Sequence, residues 1–144
     1  MSVIAFIPAR GGSKSIPLKN IQSLCGKPLI YWTIKALNTS NIDKIVVATD
    51  SDVIKRTVLG FDFSKVEIYD RDSRNATDDA STESVMLEYI EKSELLDSDI
   101  FMLVQATSPF TQTHDFNEGL KLLNNYDSVI SCTVSKKFAW KEDG

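Results

Sequence analysis

The chain has 144 residues, 42% of them hydrophobic and 25% charged, ordinary composition for one globular domain with a real core. Its net charge of −4 argues against a general nucleic-acid binder, and no apolar run approaches the roughly 20 residues of a membrane span. The Met-Ser-Val-Ile opening lacks the parts of a secretory leader, and Cys25 and Cys132 have no metal spacing, so a cytoplasmic protein without nucleic-acid or membrane partners is expected.

The first predicted strand is the apolar run Val3 to Ala9. It leads into Arg10-Gly11-Gly12-Ser13-Lys14-Ser15-Ile16-Pro17-Leu18-Lys19-Asn20, a loop with two adjacent glycines, three cations and no acid. Glycine lets the backbone approach an anion closely, so successive N–H groups can form a nest. Arg10, Lys14 and Lys19 add the positive charge that a polyphosphate needs. The spelling matches neither G-x-x-x-x-G-K-[S/T] nor G-x-G-x-x-G. Charge distribution points the same way. Residues 1–42 carry five basic side chains and no acid, while the remaining 11 of 16 basic residues face all 20 acids. A basic opening on an acidic body fits one local anion site, not a long positive stripe.

Pro28 is placed to open a helix, and Ile30, Thr33, Ile34 and Leu37 fall on one helical face. Lys44 to Thr49 is a β-branched second strand. Asp50-Ser51-Asp52 then reads as a helix start, with Asp50 as a cap in preference to an acid at the cleft, and the helix should end near Gly60. Val66 to Tyr69 is a short third strand, followed by a polar loop over 70–80. Ser81 or Thr82 can cap a helix whose inner face includes Met86, Tyr89 and Ile90. Ile100 to Gln105 is a fourth, nearly all-apolar strand, as expected when both faces are covered. Asp115 with Glu118 reads as a capping box, and Phe116, Leu120 and Leu123 line the next helix. Val129 to Val134 reads as a fifth strand. His114 has no triad partners in view, Trp32 and Trp140 read as packing residues, and Asp78 with Asp79 as a solvated turn.

Strands alternating with helices mean βαβ units, a mainly parallel sheet and right-handed crossovers, that is, a three-layer αβα Rossmann-like fold. Ligands of such sheets sit outside the carboxyl ends of the strands. With no repeat, linker or low-complexity tract, residues 1–144 read as a single domain.

Three segments resemble the acylneuraminate cytidylyltransferase (CMP-sialic acid synthetase) family. The loop is similar to I-P-A-R-G-G-S-K-G-I-P-x-K-N, with Ser15 where a glycine is usual. Arg71 to Thr82 resembles R-P-x-x-x-A-x-D-x-A-S-T, with Asp72 in the proline position. Leu103 to Phe110 resembles L-x-Q-P-T-S-P-L, with Ala106 for proline, and Thr111 stands where an arginine often follows. All three follow predicted strands at the same end of the sheet.

The resemblance implies a sheet of the nucleotide-diphospho-sugar transferase type. It also implies transfer of CMP from CTP to a nonulosonic sugar acid, with release of pyrophosphate. By resemblance, Arg10 and Lys19 face the phosphates as the catalytic cations. Gly11, Gly12, Ser13, Lys14, Asn20, Arg71, Ala80 and Thr82 bind the nucleotide, Ala80 leaving room for a pyrimidine, and Gln105 binds the sugar. Mg2+ is the implied cofactor and a homodimer the implied state of full-length relatives. In the family, the metal-binding aspartates, further sugar-binding residues and a dimerisation segment lie beyond the matched region. The chain closes on Lys-Lys-Phe-Ala-Trp-Lys-Glu-Asp-Gly, which reads as the start of another loop, so the domain is expected to be incomplete at its C-terminal end. Two other readings stay open: a CTP-binding module without turnover, and a nucleotidyltransferase for a KDO-like or isoprenoid precursor alcohol.

Overall fold

The structure, a computed structural model, describes residues 1–12, 16–72 and 81–134. Strand β1 (Val3–Pro8) runs through the middle of a parallel sheet. It pairs on one side with β4 (Lys44–Thr49) and on the other with β6 (Ile100–Leu103). Strand β5 (Val66–Asp70) pairs in turn with β4, giving the order β5-β4-β1-β6. Counting only these four in chain order, the sheet reads 3-2-1-4, the doubly wound arrangement, with its reversal between β1 and β6.

Alternation along the strands feeds two cores. Val3, Ala5, Ile7 and Ala9 of the first strand and its exit, with Ile45 and Val47 of β4, pack under α1 (Leu29–Asn38), α2 (Asp52–Leu59) and α4 (Thr113–Leu122). Ile4, Phe6, Val46 and Ala48 point to the opposite face, where α3 (Thr82–Lys92) covers them with Val85 and Tyr89. Phe6 sits between Tyr89 and Phe101, ring centroids 5.2 and 5.4 Å away. Each such fully buried side chain stabilises the fold by roughly 1.5–3 kcal/mol. Covering both faces is what permits β1 to be apolar along its whole length. Among the described residues, no helix is long and apolar enough to cross a membrane.

The face predicted for α1 is the face it buries: Ile30, Thr33, Ile34 and Leu37 are all inside. Pro28 stands one position earlier than a first-turn proline, as the residue preceding the helix. It ends a small antiparallel hairpin, β2 (Ser23–Leu24) with β3 (Lys27–Pro28), that the hydrophobic pattern does not reveal. Cys25 and Gly26 make its turn with φ of 51° and 77°, as a two-residue hairpin of this type requires. The Trp32 indole N–H donates to the Leu24 carbonyl at 2.9 Å and fastens the hairpin to α1, the packing role expected of it.

Three local expectations need correction. Val129 to Val134 forms no strand, and Ile130 and Val134 are 84% and 96% exposed. A β-branched run becomes a strand only where a neighbour takes its N–H and C=O groups and a layer covers its side chains. Among the described residues β6 is the sheet edge on its side, and no strand pairs with its outer side. In α3, Ile90 is exposed, while Val85, Glu88 and Tyr89 are buried. Val85 and Tyr89 form the row that packs in the Phe6 cluster. In α4 the reciprocal cap lies three residues earlier than expected: the Gln112 backbone N–H donates to the Asp115 carboxylate at 2.8 Å.

Candidate functional site

At the carboxyl end of the sheet, next to the β1/β6 reversal, lies a cleft of about 250 Å³. Its walls come from four places. Pro8 and Arg10 follow β1, Lys19 and Asn20 sit on a short 3-10 turn (Lys19–Ile21), Arg71 follows β5, and Gln105, Ala106 and Thr107 follow β6. Thr82 and Val85 of α3 close the remaining side.

Local geometry explains how each side chain arrives there. Leu18 adopts φ 48°, a left-handed turn immediately before Lys19, and its carbonyl accepts from the Ile21 N–H at 2.9 Å. Such a conformation in a branched residue costs on the order of 1 kcal/mol and persists only where surroundings hold it. Leu18 is held by packing against the core below α1 and α2. Asn20 is buried, and its side-chain amide donates to the Arg10 carbonyl at 3.4 Å, joining the two cationic segments. The Arg71 backbone N–H donates to the Thr49 carbonyl at 3.1 Å, which prolongs the β5–β4 pairing by one residue and brings Arg71 to the cleft.

Gly11 is glycine for a spatial reason. A Cβ at this position would lie 2.9 Å from the Ser51 Cβ, well inside van der Waals contact. Gly12 has nothing within 4 Å of such an atom. The Gly11 N–H donates to the Asp50 carboxylate at 2.8 Å. The cap expected of Asp50 belongs instead to Ser51, whose hydroxyl accepts from the Ile54 N–H at 3.4 Å. Ser81, in the same way, caps α3 by accepting from the Ser84 N–H at 3.0 Å. Thr82, the alternative cap, is therefore left facing the cleft.

The electrostatics of the cleft centre on Arg71, which is only 9% exposed. Burial pushes its guanidinium below the ordinary value. The charge of Asp50 opposes that shift, the like charge of Arg10 adds to it, and Glu88 opposes it again. Glu88 is a buried acid that the sequence reading did not single out. It accepts from the Tyr69 hydroxyl at 2.6 Å, the Lys92 ammonium at 3.0 Å and the Asp72 backbone N–H at 3.3 Å. Burial, then the hydrogen bond to Glu88, holds the Tyr69 phenol above its usual range. Residues 85, 88, 89 and 92 form one helical stripe, so an acid within it was the available signal.

Six predicted site residues thus meet in one cleft: Arg10, Lys19, Asn20, Arg71, Thr82 and Gln105. Gly11 and Gly12 lie just outside the lining, on the loop that carries Arg10. Ser13, Lys14 and Ala80 lie outside the described residues. Thr107, expected only to shape its loop, also lines the cleft. Among the described residues no three His, Cys, Asp or Glu side chains gather where a metal could be held. The described lining carries cations, hydroxyls and amides, a set that complements an anionic ligand with hydrogen-bonding edges.

A family profile described as "Cytidylyltransferase" matches residues 4–139. N-acylneuraminate cytidylyltransferase B of Danio rerio is 35% identical over 140 residues, covering 96% of this chain and 32% of the relative. N-acylneuraminate cytidylyltransferase of Escherichia coli O18:K1:H7 is 38% identical over 143 residues, covering 94% of this chain and 32% of the relative. CMP-N,N'-diacetyllegionaminic acid synthase of Legionella pneumophila is 34% identical and covers 97% of this chain and 62% of the relative. The chain thus spans about a third of the length of the acylneuraminate enzymes it matches. Among solved structures, a CMP:2-keto-3-deoxy-manno-octonic acid synthetase complexed with CTP superposes with a TM-score of 0.70 at 24% identity, over 87% of this chain and 48% of the other. That likeness is one of fold.

Proposed function

The chain belongs to the cytidylyltransferase family, and from that membership we propose that its cleft binds CTP and serves the transfer of CMP to a nonulosonic sugar acid of the sialic acid type. One observation carries the reading: Arg10, Lys19, Asn20, Arg71, Thr82 and Gln105, drawn from separate stretches of chain, line a single cleft at the carboxyl end of a parallel sheet.

In this reading the anomeric hydroxyl of the sugar attacks the α-phosphorus of CTP and releases its proton to water. The bond from that phosphorus to the bridging oxygen breaks, and pyrophosphate leaves. The protein's part is to hold the groups in line and to neutralise developing charge. Arg10 offers a planar fork for two phosphate oxygens and Lys19 a mobile point charge near the α-phosphate. Ser13, Lys14 and Gly12 extend that cationic loop. Asn20, Arg71, Ala80 and Thr82 surround the nucleoside, and Gln105 reaches the sugar from the end of β6. Gly11 serves by letting the loop lie close against Ser51, its own N–H being given to Asp50.

Mg2+ bound with the triphosphate would supply further charge neutralisation. Among the described residues no three acidic, His or Cys side chains gather to hold it, and no step above runs through the ion. Residues 1–144 act as a single nucleotidyltransferase domain in this reading, in the cytoplasm where CTP is supplied; sedimentation tests the homodimer implied by full-length relatives.

Thermal shift with Mg2+ present is the first test. CTP should protect more than ATP or GTP, and equal shifts would refute recognition of the base. Pyrophosphate release with CTP and a panel of nonulosonic acids, KDO included, then tests turnover and substrate. Selective CTP binding with no release identifies a binding module, and release with KDO alone assigns a different acceptor.

A further inference from the structure

The carboxyl end of β4 joins two parts of the cleft that are distant in sequence. The Thr49 carbonyl accepts from the Arg71 N–H, and the next residue, Asp50, accepts from the Gly11 N–H at 2.8 Å. Ser51 has taken the capping of α2, so the Asp50 carboxylate is not engaged in that task. An acid beside a triphosphate site would repel its ligand unless it organised something. Here it is turned to the backbone of the glycine loop, and its charge also acts on Arg71 against the like charge of Arg10.

We propose that Asp50 is a positioning residue of the cleft: its carboxylate clamps the glycine loop through the Gly11 N–H and counterbalances Arg71, so that the cations on either side are held in place before an anion arrives. Two like charges converging on one site separate unless something opposes them. A charge-assisted hydrogen bond to a loop that has no side chain of its own at Gly11 is an economical restraint. Preorganisation of this kind shows as ligand affinity, because less ordering remains to be done on binding. The ligand side of the inference rests on the CTP reading; the clamp itself does not.

Two variants and two measurements test it. In Asp50→Ala the Gly11 amide should exchange with solvent at least about tenfold faster, while the β4 amide of Val47 is unchanged, and the Kd for CTP with Mg2+ should rise about tenfold or more. Asp50→Asn keeps an acceptor, so Gly11 exchange should stay near the parent value while CTP binding weakens only a few-fold through the lost countercharge. A purely structural role would lower the melting temperature and leave the Kd of the folded protein unchanged. Parent-like Gly11 exchange in Asp50→Ala, or tighter CTP binding in either variant, overturns the proposal. Failure of the parent to bind CTP would sink the CTP reading alone, and Gly11 exchange would still decide the clamp. If Asp50→Ala does not fold, an unchanged CTP affinity in Asp50→Asn overturns the countercharge role.

Discussion

Replacing each glycine of the loop with alanine, one at a time, should separate two residues that look alike in the sequence. At Gly11 the new methyl would lie 2.9 Å from the Ser51 Cβ and 3.4 Å from its Oγ. Carbon atoms in contact prefer about 3.5–4.0 Å. The Ser51 Cβ is fixed to the backbone at the start of α2, where its hydroxyl caps Ile54, so it cannot swing aside. Either the loop or the helix start must move by most of an ångström, and overpacking of this size costs about 1–3 kcal/mol. The movement also stretches the 2.8 Å bond from Gly11 to Asp50, which pushes the effect toward the upper end. For a chain of this size the melting temperature should fall by about 3–10 °C. At Gly12 the same methyl meets nothing within 4 Å, and neither glycine has a positive φ that an alanine would strain. Gly12→Ala should therefore stay within about 0.5 kcal/mol of the parent. Urea and thermal unfolding without nucleotide measure both. Equal stabilities for the two variants would refute the claim that close approach to Ser51 dictates glycine at position 11.

Ser81→Ala should lower stability by about 1 kcal/mol in urea unfolding, the usual loss of a helix cap, whereas Thr82→Ala should change stability by less than about 0.5 kcal/mol yet weaken CTP binding in calorimetry. Arg10→Ala and Lys19→Ala should each weaken CTP binding by about 10- to 100-fold with little change in melting temperature, since each would remove a charged hydrogen bond to phosphate. A third expectation concerns alkaline pH. Tyr69 and Tyr89 are both held above the usual phenol range, burial being the first cause in each. The folded state then keeps those protons longer than the unfolded chain does. Their stabilisation is complete below the unfolded value near 10 and is lost as pH rises through the folded values. Urea midpoints should fall above pH 10 in the parent and fall less steeply in Tyr69→Phe; identical slopes would refute the assignment to Tyr69.

Much of the fold was legible because period and composition are local properties. The stripe Ile30, Thr33, Ile34 and Leu37 could bury only as a helix face, and it does. Runs such as Val3 to Ile7 and Ile45 to Ala48 are apolar at every position, which calls for a sheet covered on both sides. Once strands and helices alternate, chain handedness brings the loops after β1, β5 and β6 to one end. Alternation placed those three loops together, whereas Arg71 and Gln105 as the residues to expect there came from the resemblance of their segments to the family.

The chain's own residues therefore settled the helices, the four parallel strands and the end at which the cations gather, since each depends on neighbours within a few positions or on handedness common to all L-amino-acid chains. Tertiary packing alone decided the rest. That Ser51 would cap α2 and Asp50 would reach across to Gly11 depended on the placement of β4 beside β1. Whether Glu88 faced water or Tyr69 depended on which row of α3 packs against the sheet. The β-branched run Val129 to Val134 shows the same limit, because a strand is made by a partner for its backbone, and that partner is not encoded in the run itself.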